Sequence, residues 1–308
     1  MREAKTIRER IEELKGQRNA LILAHNYQLP EVQDAADFCG DSLDLSRKAA
    51  SARAEVIVFC GVHFMAETAS ILCPDKLVLM PDPNSGCPMA DMITAQQLAR
   101  LKGEHPDAAV VCYVNSPAEV KAESDLCCTS ANSCEIVESI EPGRPVIFVP
   151  DKYLGDYTAR RTGRELILWE GYCPTHVAIT PEHVEAARAK HPEAVLIAHP
   201  ECLTEVAGMA DAVLSTSGMV RFARETGARE VIVATEIGLL HRLRKENPDK
   251  EFIPAYAGAS CPNMKLTTLE KILWSLEELR HEVQVAPEVR ERARGAIDAM
   301  VAAGARSD

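Results

Sequence analysis

Cys87-Pro88-Met89-Ala90-Asp91-Met92-Ile93-Thr94 returns as Cys173-Pro174-Thr175-His176-Val177-Ala178-Ile179-Thr180, and again as Cys261-Pro262-Asn263-Met264-Lys265-Leu266-Thr267-Thr268. Each copy reads Cys-Pro, five residues, Thr. The cysteines stand eighty-six and eighty-eight residues apart. Each threonine opens an apolar-periodic stretch, as in Thr94-Ala95-Gln96-Gln97-Leu98, which is where a helix N-cap belongs. Self-similarity at a fixed period decides the architecture before any single element does.

Upstream of each cysteine the same order of features recurs. A short apolar run ends in polar residues: Ala20–Ala24 before His25-Asn26-Tyr27, Ala109–Cys112 before Tyr113-Val114-Asn115, and Val195–Ala198 before His199-Pro200-Glu201. Seventeen positions after His25, Tyr113 and His199 stand Ser42, Ser130 and Thr216. Further apolar runs at Val56–Phe59, Leu77–Met80, Ala212–Leu214 and Val231–Val233 alternate with helical patterns. Runs of that length read as buried strands, and the alternation predicts α/β units with short parallel sheets covered by helices in three layers. The expected units are 18–104, 105–190 and 191–308, the last carrying C-terminal helices, with an N-terminal helix over 1–17.

Composition limits the function classes. Of the 308 residues, 46% are hydrophobic and 26% charged, as in ordinary globular chains. The net charge of −12 excludes a broad nucleic-acid surface but leaves room for a locally positive pocket. Met1–Gln17 lacks the apolar core of a signal peptide, so a cytoplasmic protein is expected. The 11 cysteines form no Cys-x-x-Cys pair, and an odd count in a reducing compartment argues against a disulfide framework. Most sit in apolar runs and read as small buried hydrophobes.

In open α/β sheets ligands bind beyond the carboxyl ends of strands. If three units pack around a pseudo-threefold axis with those ends inward, Cys87, Cys173 and Cys261 converge beside a ring of polar side chains. Three thiolates ask for a metal. A structural zinc site normally takes four protein ligands, whereas an iron–sulfur cluster held by three cysteines leaves one iron open. Each residue also has a plainer reading: His25 and His199 as structural histidines, Tyr27 and Tyr113 as core aromatics, Ser42 and Thr216 as helix caps.

The segments Ala24-His25-Asn26-Tyr27-Gln28, Cys128-Thr129-Ser130-Ala131-Asn132, Pro150-Asp151-Lys152-Tyr153-Leu154-Gly155, Trp169-Glu170-Gly171-Tyr172-Cys173-Pro174-Thr175-His176 and His199-Pro200-Glu201-Cys202 closely resemble the quinolinate synthase A family. The resemblance runs from about Leu21 to Leu273. It implies three similar αβα domains around a central active site, and a transferase that condenses iminoaspartate with dihydroxyacetone phosphate to quinolinate, phosphate and water in NAD biosynthesis. It also implies one 4Fe-4S cluster per chain on Cys87, Cys173 and Cys261, with one iron lacking a protein ligand. Substrate contacts implied are His25, Ser42, Tyr113, Val114, Asn115, Ser130, His199, Pro200, Glu201 and Thr216. An enzyme supplying iminoaspartate is the implied functional partner. Some relatives carry a cysteine pair near the C-terminus; this chain has no cysteine beyond Cys261, so such a disulfide switch is not available to it.

Within that chemistry Glu201 is the expected general base, Tyr27 or His25 the acid, and a positively charged His199 with Thr216 the phosphate partner. His63, His176 and Lys152 receive no role. Two rivals stay open: an iron–sulfur hydro-lyase acting on a hydroxy acid, and a small-ligand or metal-binding protein whose three cysteines hold zinc.

Overall fold

A computed structural model describes residues 5–303. Three four-stranded parallel sheets follow one another along the chain. The first contains β1 (Ala20–His25), β2 (Phe38–Gly40), β3 (Val56–Cys60) and β4 (Leu77–Leu79). The second contains β5 (Ala109–Tyr113), β6 (Leu126–Cys128), β7 (Val146–Val149) and β8 (Ile167–Leu168). The third contains β9 (Val195–Ala198), β10 (Ala212–Val213), β11 (Glu230–Ala234) and β12 (Glu251–Pro254). The strand orders β2-β1-β3-β4, β6-β5-β7-β8 and β10-β9-β11-β12 are one topology used three times. The α/β expectation holds, and the repeat in sequence is a repeat in connectivity.

The central strands are apolar throughout because helices cover both faces. All five residues of β3 and of β5 are buried, and Leu23 pairs across with Phe59 on one side and Phe38 on the other. Each Val, Leu or Ile buried there contributes roughly 1.5–3 kcal/mol. Thr94, Thr180 and Thr268 are the helix N-caps that the repeat predicts. In each sheet the strand order reverses between the first and third strands, which stay parallel. Their carboxyl ends therefore flank the crevice that open α/β sheets offer to ligands.

The chain ends are shared among the units. Helix Ile7–Gln17 starts at a Thr6/Glu9 capping box, so the helix expected over 1–17 begins six residues later; residues 1–4 lie outside the described residues. Its Ile11 joins Ile272, Leu273 and Leu276 of helix Leu269–Glu278 on the first sheet. Helix Pro287–Ala303 packs across the first and second units: Arg294 Nη1 donates to Ile71 O at 3.1 Å and Leu72 O at 3.0 Å, and Asn132 Nδ2 donates to Met300 O at 3.0 Å. Among the described residues no helix is long and apolar enough to cross a membrane.

Candidate active site

The three carboxyl-end crevices meet in one cavity. Every unit contributes in the same order. From the first strands come His25 and Tyr27, Tyr113 and Asn115, His199 and Glu201; from the second, Asp41 and Ser42, Thr129 and Ser130, Thr216; and from the loops after the fourth, Cys87, Cys173 and Cys261. His25 and Tyr113 are the last residues of their strands rather than the first beyond them.

The three thiols line that cavity although they are remote in sequence. All eleven cysteines are free; Cys60, Cys73, Cys112, Cys127, Cys128 and Cys202 are buried in the core, while the three of the repeat are half-buried at the cavity wall. Burial pushes the Cys87 thiol up to about 12, with the neighbouring Glu201 carboxylate and Cys261 adding to it. Burial, then Glu201 and Cys87, raise Cys173 well above the usual range, and burial raises Cys261. Three such thiols ionise together only around a shared cation, whose binding expels their protons. The donor set fits a group gripped by three sulfurs, with the rest of the cavity open beside it.

A line of hydrogen bonds runs past these sulfurs. The Tyr27 hydroxyl lies 2.6 Å from Thr235 Oγ1 and 3.2 Å from His176 Nε2, and Thr235 Oγ1 is 2.9 Å from the same nitrogen. On the far side of the ring His176 Nδ1 is 2.8 Å from Glu201 Oε2 and 3.1 Å from Cys173 Sγ. Tyr113 donates its hydroxyl proton to Glu201 Oε1. Burial works against the Glu201 carboxylate, but His176 and the hydrogen bonds from His176 and Tyr113 outweigh it and hold its pKa below the usual carboxylate range. An ionised Glu201 can only accept a hydrogen bond from Nδ1–H, and in that tautomer the Nε2 lone pair faces Tyr27. Burial raises Tyr27 well above 10, so the phenol rests protonated.

Sequence reasoning gave His176 no role and made Glu201 the base; the geometry puts His176 between Glu201 and Tyr27. The available signal was the spacing of His176 three residues after Cys173, on one face of a short helix. Thr235 and Glu236, just beyond β11, were missed as well, although they are polar residues following an apolar run. His199 differs from expectation in charge. Burial, opposed by Glu201, holds both His25 and His199 at about 3, so both rings are neutral. The His199 ring stacks on His176 with centroids 4.6 Å apart.

The remaining polar wall suits anionic groups. Ser42 and Thr216 open helices Ser42–Ser51 and Thr216–Glu225, whose N-caps are Asp41 and Ser215, so their own hydroxyls are not the caps. Two helix N-termini thus lie at the cavity wall. Asp41 Oδ1 already accepts from the Leu43 and Asp44 N–H groups in the first, and Ser215 Oγ from the Gly218 N–H in the second. That leaves the rest of the first turn of the second helix as the better place for a carboxylate or phosphate. Asn26 Nδ2 donates to Thr216 Oγ1 at 2.8 Å and orients it. Asn115 Oδ1 is buried and has no hydrogen-bond partner among the described residues. Val114 and Pro200 are buried but are not among the lining residues.

Three repeated α/β units converging on one cavity, with three cysteines and an acid–base line, define a three-domain enzyme-like class with a thiol-lined central site. A family model described as quinolinate synthetase A protein matches residues 9–302, and the chain belongs to that family. It is 57% identical over 295 residues to quinolinate synthase of Dehalococcoides mccartyi strain CBDB1, covering 96% of this chain and 97% of that protein. It is 55% identical over 302 residues to quinolinate synthase of Methanosarcina barkeri, covering 98% and 99%. It is 52% identical over 300 residues to that of Geobacter metallireducens, covering 97% and 98%.

Proposed function

We propose that this chain makes quinolinate from iminoaspartate and dihydroxyacetone phosphate, releasing phosphate and water, as a step of NAD biosynthesis. The observation that carries the reading is the Tyr27–His176–Glu201 line beside three cysteines in one cavity, in a chain 57% identical to a quinolinate synthase. Cys87, Cys173 and Cys261 would hold one 4Fe-4S cluster by three corners. When bound, the cluster supplies an iron with an open position that polarises a substrate oxygen as a Lewis acid.

The chain's own side chains supply the rest. Glu201 fixes the His176 tautomer by accepting a hydrogen bond from Nδ1–H. His176 Nε2 receives the phenol proton of Tyr27, directly or through Thr235, and returns it later in the cycle. Tyr27 moves protons on the substrate. Neutral donors, Ser42, Ser130, Thr216 and the Asn115 amide, bind carboxylate and phosphate oxygens; His25 and His199, neutral at rest, gain a proton only when an anion enters beside them. Burial of the whole line excludes water from intermediates that hydrolyse. A cytoplasmic location, where thiols stay reduced, and an enzyme supplying iminoaspartate belong to the same reading.

One observation favours a rival. Ligand atoms of Cys173, His176 and Glu201 all lie within 4.8 Å of one another, a donor set that suits a single zinc ion. Anaerobic reconstitution with iron and sulfide, followed by incubation with both substrates, separates the two. Quinolinate formed in step with iron content supports the proposal. A chain that takes up zinc but no iron, or that makes no quinolinate when loaded with iron and sulfide, overturns it.

A further inference from the structure

The loop carrying the third cysteine is held by a buried carboxylate. Cys261 N donates to Glu236 Oε1 at 3.0 Å, and Gly238 N donates to Glu236 Oε2 at 2.7 Å. The Glu236 side chain is 0% exposed. Its counter-charge is Lys265, whose Nζ lies 2.9 Å from the same Oε1 and also donates to the backbone carbonyl of Tyr27. A continuous path therefore runs Cys261 N, Glu236, Lys265, Tyr27 O.

A second tie crosses between the same two segments. Gln33 Nε2 donates to Asn26 O at 3.1 Å, to Gln28 O at 2.8 Å and to Gly238 O at 2.9 Å. Tyr27 is thus gripped at its own carbonyl and at those of both neighbours by bonds that lead to the third unit. Gly238 is where the grip closes. A Cβ there would lie 2.7 Å from Glu236 Oε2, from Lys265 Nζ and from Tyr27 O, so only glycine lets the three meet.

We propose that the Glu236–Lys265 ion pair is a positioning clamp that fixes Cys261 and Tyr27 relative to each other. A buried ion pair adds little net stability over apolar packing of the same volume, because desolvation offsets most of the attraction. What such a pair supplies is direction, and here both of its ends point at groups of the site. Because Cys261 comes from the third unit and Tyr27 from the first, nothing in the covalent chain sets their spacing. The clamp rests on the proposed function, since it joins a cluster ligand to the proton-moving tyrosine.

The test compares anaerobically purified wild type, Lys265→Met, Lys265→Arg and Glu236→Gln. Each is assayed for iron per chain, rate of iron loss to a chelator, and kcat and KM of quinolinate formation per loaded cluster. Groups that orient a metal ligand typically change affinity or activity about 10- to 100-fold. The expected result is a paired change in Lys265→Met and Glu236→Gln: iron leaves about 10- to 100-fold faster and kcat falls by a similar factor, with KM little altered. Lys265→Arg restores most of both. Wild-type values, a change in only one of the two quantities, or no rescue by arginine overturns the clamp. Should Lys265→Met fail to fold, Gly238→Ala keeps both charges while crowding them apart, and wild-type behaviour of that variant overturns it equally. A wild type that holds iron yet makes no quinolinate removes the functional reading instead, and the iron-loss rates then decide the clamp alone, an unchanged rate overturning it.

Discussion

Replacing Glu201 by glutamine isolates the step on which the acid–base line turns. Two hydrogen bonds end on this carboxylate, from His176 Nδ1 at 2.8 Å and from the Tyr113 hydroxyl. Glutamine has the same shape and keeps one oxygen for Tyr113. Its amide nitrogen is a donor, so His176 must turn Nδ1 into an acceptor and carry its proton on Nε2. That is the nitrogen facing Tyr27 and Thr235, and the base is lost. Loss of tautomer control in a comparable triad lowers turnover about 10⁴-fold, and a positioned base alone contributes about 10²–10⁴-fold. We expect kcat to fall about 10³–10⁴-fold, or about 4–5.5 kcal/mol of barrier. Stability should move far less: one charge-assisted hydrogen bond of about 1.5–3 kcal/mol is lost, while the cost of burying an ionised carboxylate is relieved. The assay is anaerobic quinolinate formation normalised to iron, beside urea denaturation of the apoprotein. Turnover within about tenfold of wild type on an intact cluster would refute the reasoning.

His199 is held neutral at about 3 against an ordinary 6.5, so below pH 6.5 the unfolded chain takes up a proton that the folded chain refuses, and stability falls with pH in that window. Between pH 7.5 and 5.5 the wild-type apoprotein should lose about 1.4 kcal/mol relative to His199→Asn, and parallel pH dependence in the two would contradict it. Ile297 is 0% exposed in the helix that packs across the first two units; Ile297→Ala should cost about 2–5 kcal/mol by denaturation, whereas a loss below about 1 kcal/mol would place that helix outside the cooperative core.

The central strands were legible because continuous apolar runs such as Val56-Ile57-Val58-Phe59 have no other use than a sheet covered on both faces. Only some edge strands were: Leu77–Leu79 and Ala212–Val213 lie in apolar runs that the sequence shows, but others do not. Phe38-Cys39-Gly40 and Ile167-Leu168 are too short to carry a period, and only pairing with β1 and β7 makes them strands. The cavity was legible through the repeat, since Cys87, Cys173 and Cys261 occupy equivalent places in the three units and all three line it. Roles were harder to read than places. His176 carries no repeat signal, because Ala90 and Met264 occupy the equivalent positions beside the other two cysteines. Nor does spacing reveal charge: His199 is neutral because of burial, which depends on all three units closing together. The path from Cys261 through Glu236 to Lys265 and Tyr27 joins residues from opposite ends of the chain, and no local pattern records it.

Everything proposed for this chain depends on three sulfurs sharing one inorganic group. Iron and acid-labile sulfide, measured per chain on protein purified without oxygen, address that directly. The account predicts about four of each, and their loss when Cys87, Cys173 or Cys261 is singly changed to serine, but not when Cys112 or Cys128 is. One zinc per chain without iron, or iron retained in all three serine variants, would contradict it.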